Sequence, residues 1–75
     1  MSVLQAKINR ALAFIHAAIE NPAEEPLRHA NEHAAEVLDE IDVFAMRPEL
    51  RGRVEHLTLA LRALRHVLAT QSNAG

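Results

Sequence analysis

The stretch RHANEHAAEVLDE, residues 28–40, holds the side chains with the clearest potential for chemistry. His29 and His33 are four residues apart, and four acidic residues share the stretch with them. Side chains at this spacing lie on one face of an α-helix. Both imidazoles could therefore bind one divalent metal ion, and Glu36 could add a carboxylate ligand. The candidate metal ligands are thus His29, His33 and Glu36.

This spacing differs from two known ligand patterns. The His-Glu-x-x-His motif of metalloproteases includes a glutamate as general base, and the Glu-x-x-His motif of di-iron bundles projects inward from several helices. Here the acids share the histidine face, which the periodicity places opposite the apolar residues. The competing interpretation is a solvated helix surface on which His29 pairs with Glu25 or Glu32. A histidine phosphotransfer role would also require a docking surface for a receiver domain, and no pattern identifies one.

The three remaining histidines are His16, His56 and His66. None has a serine or aspartate arranged around it, and no phosphate-binding loop or pair of carboxylates in a cleft can be drawn. The sequence therefore predicts that the chain is not an enzyme.

Two proline-containing breaks, ENPAEEP and MRPEL, divide the chain into three segments. We expect helices over residues 2–20, 23–46 and 48–71, with a frayed tail at 72–75. Because short connections leave only an antiparallel neighbour within reach, the predicted fold is an all-α, three-helix antiparallel up-down-up bundle with coiled-coil-like seams. Whether Pro26 begins or kinks helix 2 stays open. The seams comprise Leu4, Ile8, Ala11, Ile15 and Ala18; Leu27, Ala30, Ala34, Val37, Ile41 and Phe44; and Leu50, Val54, Leu57, Leu61, Leu64 and Leu68.

The composition predicts one helical domain over residues 1–75 that gains stability by self-association. Only two residues are aromatic, and a chain of this size offers little apolar surface to offset the entropy of folding. We therefore expect a dimeric helical bundle. The chain has no cysteine, no signal-like N-terminus and no uncharged run of about 18 residues, so we expect a cytoplasmic protein without a membrane contact.

Two helix faces opposite the seams carry small residues and single large apolar ones. A large aliphatic side chain at Leu59 is expected to be exposed in a three-helix monomer, where it could anchor a second helix. Ordinary alanine-rich helix surface is the competing interpretation. The predicted partner contacts are Phe14, Ala17, His56, Leu59, Ala63 and His66.

Five arginines make the third segment basic, which raises the alternative of a small DNA-binding regulator. These arginines are dispersed around the predicted helix, and the net charge of −2 argues against binding nucleic acid. The sequence thus predicts a small protein-binding module, such as an adaptor, inhibitor or regulatory subunit, that acts as a homodimer without a cofactor. The other alternative is a metal-binding bundle that uses His29 and His33.

Overall fold

The computed structural model describes residues 3–41 and 48–73, and it confirms the all-helical class. The helices are α1 (Val3–Glu20), α2 (Glu24–Glu40) and α3 (Pro48–Asn73), and each packs against the other two. The bundle is elongated, measuring 43 by 19 by 16 Å along its principal axes. None of the three helices is both long enough and apolar enough to cross a bilayer.

The core follows the predicted seams. Alanines from α1 and α2 alternate with larger residues, and they share one buried cluster with leucines of α3. Full burial of one such leucine contributes roughly 1.5–3 kcal/mol. The buried residues are Ile8, Ala11, Ile15, Ala18, Leu27, Ala30, Ala34, Val37, Leu57, Leu61 and Leu64.

The first turn of α2 answers the question that Pro26 raises. The helix begins at Glu24, with Ala23 as the N-cap residue in extended geometry, and the Leu27 amide donates the first helical hydrogen bond to the Ala23 carbonyl (3.1 Å). Pro26 is therefore in the first turn, where its missing N–H would have no partner within the helix. The carbonyl that its ring would crowd belongs to Pro22, which precedes the helix. Pro26 thus neither begins α2 nor needs to kink it.

The C-terminal end of α2 comes earlier than expected. The helix ends at Glu40, and Ile41 has extended backbone with ψ of 121°. The periodic pattern had predicted helix to residue 46, because Ile41 and Phe44 continue the apolar spacing. Residues 42–46, including Phe44, lie outside the described residues. Helix α3 instead continues to Asn73, two residues past its expected end.

Polar contacts join the helices at their exposed edges. The Lys7 ammonium pairs with the Glu40 carboxylate (2.8 Å), and the side chain of each is about half exposed. The guanidinium of Arg53 donates to the Asn9 side-chain oxygen (2.7 Å). A third bond runs from Arg65 to Asn31 (2.9 Å). Exposed ion pairs contribute roughly 0–1 kcal/mol each, so the apolar core dominates stability.

Candidate functional site

A groove with a volume of about 480 Å³ lies between α1 and α3. One wall comes from the second half of α1, and the other from the outward face of α3. Apart from two histidines and one glutamate, the lining consists of apolar side chains and one glycine. The lining residues are His16, Ile19, Gly52, Glu55, His56, Leu59, Ala60 and Ala63.

The α3 wall exists because this helix has two faces. Leu57, Leu61 and Leu64 turn toward the core, and the residues of α3 that line the groove are small or polar except for Leu59. Gly52 leaves a gap in this wall, since a Cβ atom placed there would meet nothing within 4 Å. Leu59 projects from the same wall with 63% of its surface exposed. The groove therefore combines a large apolar side chain and an open gap on one helix.

Two histidines from different helices meet at this groove. The imidazole centroids of His16 on α1 and His56 on α3 are 6.1 Å apart, with 59° between the ring planes. Both side chains are exposed, so each can change its rotamer at small cost. The pair is accessible from the groove that it lines.

The structure brings together only some of the predicted partner contacts. His56, Leu59 and Ala63 line the groove together. Ala17 and His66 are exposed on α1 and α3, but neither belongs to the groove lining.

Phe14 lies away from the groove, in contact with α2. Its ring makes edge-to-face contacts with His29 (centroids 5.5 Å apart) and His33 (5.0 Å), and 38% of its surface is exposed. His29 is exposed, whereas His33 is partly buried. The reason is that Phe14 lies on the side of α1 that faces α2.

The Phe14 contacts also bear on the predicted metal ligands. The His29 and His33 rings are 6.4 Å apart, but the phenyl ring packs against both and offers no ligand atom. The Nδ1 atom of His33 is buried and has no hydrogen-bond partner among the described residues. Glu36 and His33 line a second groove, between α1 and α2. Within residues 3–41 and 48–73, no three histidine, cysteine, aspartate or glutamate side chains form a group that could hold a metal ion.

Several arginines are engaged within the molecule. Arg53 and Arg65 bind asparagine side chains of α1 and α2, and Arg28 pairs with Glu24 one turn away. The contacts of Arg53 and Arg65 join neighbouring helices, whereas the Arg28–Glu24 pair stays within α2.

The sequence patterns missed the contribution of α1 to the groove. In the sequence, His16 was a histidine without an assigned partner, and Ile19 was not among the predicted partner contacts. Their spacing of three residues places both on one side of α1. No signal in the sequence fixes the rotation of α1 about its own axis relative to α3. The contact between His16 and His56 could therefore not be predicted from the sequence.

Comparisons of this chain with protein-family models, with curated proteins and with solved structures find no match. The function must therefore be argued from the groove itself. Its lining is suited to binding an apolar surface, with two imidazoles and one carboxylate as its ionisable groups.

Proposed function

We propose that this chain is a small non-enzymatic protein-binding module whose α1/α3 groove docks a second copy of itself. The observation that carries this proposal is the position of Leu59, which is 63% exposed beside a groove lined by Gly52, Ala60 and Ala63. An exposed large apolar side chain next to a concave apolar surface is typical of interaction sites.

The proposal includes an up-down-up arrangement of the three helices. Only residues 21–23 separate α1 from α2, which favours an antiparallel pair. The Lys7–Glu40 pair, from the start of α1 and the end of α2, supports this direction. The Asn9–Arg53 bond joins the first halves of α1 and α3 and supports a parallel direction for these two.

The groove is complementary to itself in a way that favours a second copy as its occupant. In a two-fold dimer, each copy contributes the same surface, so a projecting group and its receiving gap must both lie on that surface. Leu59 is the projecting group, and Gly52 is the gap. Two antiparallel α3 helices that cross between residues 55 and 56 would place each Leu59 opposite Gly52 of the other copy.

The contribution of Leu59 to this docking can be estimated from the part of its surface that becomes buried. Burying the exposed part of one leucine contributes about 1–2 kcal/mol, given roughly 1.5–3 kcal/mol for a whole side chain. The two-fold symmetry doubles this contribution to about 2–4 kcal/mol, which corresponds to roughly a 30-fold to several-hundred-fold change in the dissociation constant.

The test is sedimentation equilibrium of the wild-type chain and of Leu59→Glu at several concentrations. The wild-type protein should sediment at twice the chain mass of 8.3 kDa, and Leu59→Glu at 8.3 kDa. Glutamate is a good helix former, so circular dichroism should show unchanged helicity in the variant.

Val3→Glu is the matched control, because Val3 is 75% exposed and lies on the first turn of α1, outside the α1/α3 groove. This variant should remain dimeric. In EDTA, a monomeric wild-type protein, or a dimer that Leu59→Glu leaves intact, would show that the apolar contacts of the groove do not by themselves bind a second copy.

A further inference from the structure

The pair formed by His16 and His56 has the geometry of half a metal site. Zinc–nitrogen bonds measure about 2.0–2.1 Å, so the ring centres of two imidazoles on one zinc ion lie roughly 5–6 Å apart. The observed centroid separation is 6.1 Å. Both side chains are exposed, so a change of rotamer is open to each of them.

The side chains of the other close histidine pair, His29 and His33, are less free to change rotamer. His29 and His33 are held in edge-to-face contact with Phe14, and closing these two rings on an ion would displace the phenyl group. His16 and His56 contact each other across the groove, on separate helices whose backbones the core holds in place. Of the two pairs, His16 and His56 are therefore better placed to bind a metal ion.

Two imidazoles fill only half of the tetrahedral coordination that zinc prefers. Because no third suitable side chain joins them within the described part of the chain, the set is incomplete in one copy. A second copy docked at the same groove would supply the missing half. The two-fold axis that places Leu59 opposite Gly52 passes between residues 55 and 56, and so runs beside His56 in both copies.

We propose that His16 and His56 bind a divalent transition-metal ion together with the same two residues of a second copy, giving a four-histidine site that bridges the dimer. Nitrogen ligands of this kind suit zinc, copper and nickel. The proposal rests on the proposed function in one respect, the docking of a second copy at the α1/α3 groove.

The test uses the full chain, freed of metal with EDTA and then dialysed against zinc chloride. The bound metal should amount to one zinc ion per two chains, and the complex should sediment at twice the chain mass. His16→Ala and His56→Ala should each weaken zinc binding by at least tenfold and abolish this stoichiometry, with unchanged helicity.

His66→Ala is the matched control, since His66 is an exposed histidine of α3 outside the groove, and it should bind zinc like the wild-type chain. One zinc ion per chain without a change in mass would overturn the proposal. Absence of zinc binding would overturn it too, as would binding that survives His16→Ala but is lost in His33→Ala.

Sedimentation in EDTA separates this inference from the proposed function. A metal-free dimer that Leu59→Glu dissociates supports the apolar docking whatever zinc does. A metal-free monomer that forms a one-to-two zinc complex, lost in His16→Ala, upholds the metal site and contradicts docking by apolar contact alone.

Discussion

Phe14 links α1 to α2 through aromatic contacts with His29 and His33. Phenylalanine-to-alanine changes at fully buried sites cost about 3–5 kcal/mol, and aromatic pairs add about 0.5–1.5 kcal/mol beyond area burial. Because Phe14 is 38% exposed, we expect Phe14→Ala to lower the free energy of unfolding by about 1–2 kcal/mol. Urea denaturation at fixed protein concentration measures this loss.

Phe14→Leu is the informative companion, because leucine keeps much of the apolar contact but removes the aromatic ring. Its free energy of unfolding should lie between those of the wild-type protein and Phe14→Ala. Val3→Ala should change stability by less than about 0.5 kcal/mol, since Val3 is mostly exposed. An equally small loss for Phe14→Ala would mean that the imidazole contacts contribute nothing.

At the scale of a secondary-structure element, α2 begins without a side-chain cap. Its N-cap residue is Ala23, which cannot accept a hydrogen bond from the first turn. A serine there could accept one from the amide of Glu25, but not from Pro26, which has no N–H. We therefore expect Ala23→Ser to raise the free energy of unfolding by about 0.5–1 kcal/mol, toward the lower end of the usual range.

Thermal and urea denaturation of Ala23→Ser should be compared with Ala13→Ser, the same change at an exposed position inside α1. There serine only replaces a better helix former, and stability should fall by about 0.5 kcal/mol. If the two substitutions changed the free energy of unfolding equally, helix capping would be excluded as the cause of the effect at Ala23.

The apolar periodicity predicted which helix faces form the core, but it did not predict every helix end. Leu27 and Leu57 are buried as expected, because steps of three and four residues place side chains on one face whatever the neighbouring helices do. Ile41 continues the same spacing outside α2, because an apolar side chain can pack without helical backbone.

The candidate site was only partly predictable for a related reason. Leu59 was expected to be exposed, and it is, because it lies opposite the leucine seam of its own helix. The contact of His16 with His56 depends on how two helices rotate about their own axes, and the sum of all core contacts decides that rotation. Phe14 was placed on an outer face for want of the same information.

At the scale of the whole molecule, substitutions at Gly52 should change the stability of the single chain and the affinity of the dimer in opposite directions. It is exposed, its φ is not positive, and an added Cβ would meet nothing within 4 Å. Alanine is about 0.8–1.0 kcal/mol more favourable than glycine inside a helix. Gly52→Ala should therefore stabilise each chain by up to about 1 kcal/mol, while the added methyl group reduces the space for Leu59 of the second copy.

The chain stability is best measured in the Leu59→Glu background, where assembly does not contribute to unfolding. The dimer dissociation constant is measured by sedimentation of Gly52→Ala and of Gly52→Leu, and the leucine variant should be monomeric and helical. A Gly52→Leu protein that dimerises like wild type would place the interface elsewhere.

The edge-to-face contacts of one phenyl ring with two imidazoles also give the molecule a built-in spectroscopic reporter. The sequence contains no tryptophan or tyrosine, so Phe14 and Phe44 supply its only phenyl rings. The ring current of Phe14 should displace the proton resonances of the imidazole C–H groups of His29 and His33, whose ring centroids lie 5.5 and 5.0 Å from its own. The contact between α1 and α2 can thus be followed by one-dimensional proton NMR without any label.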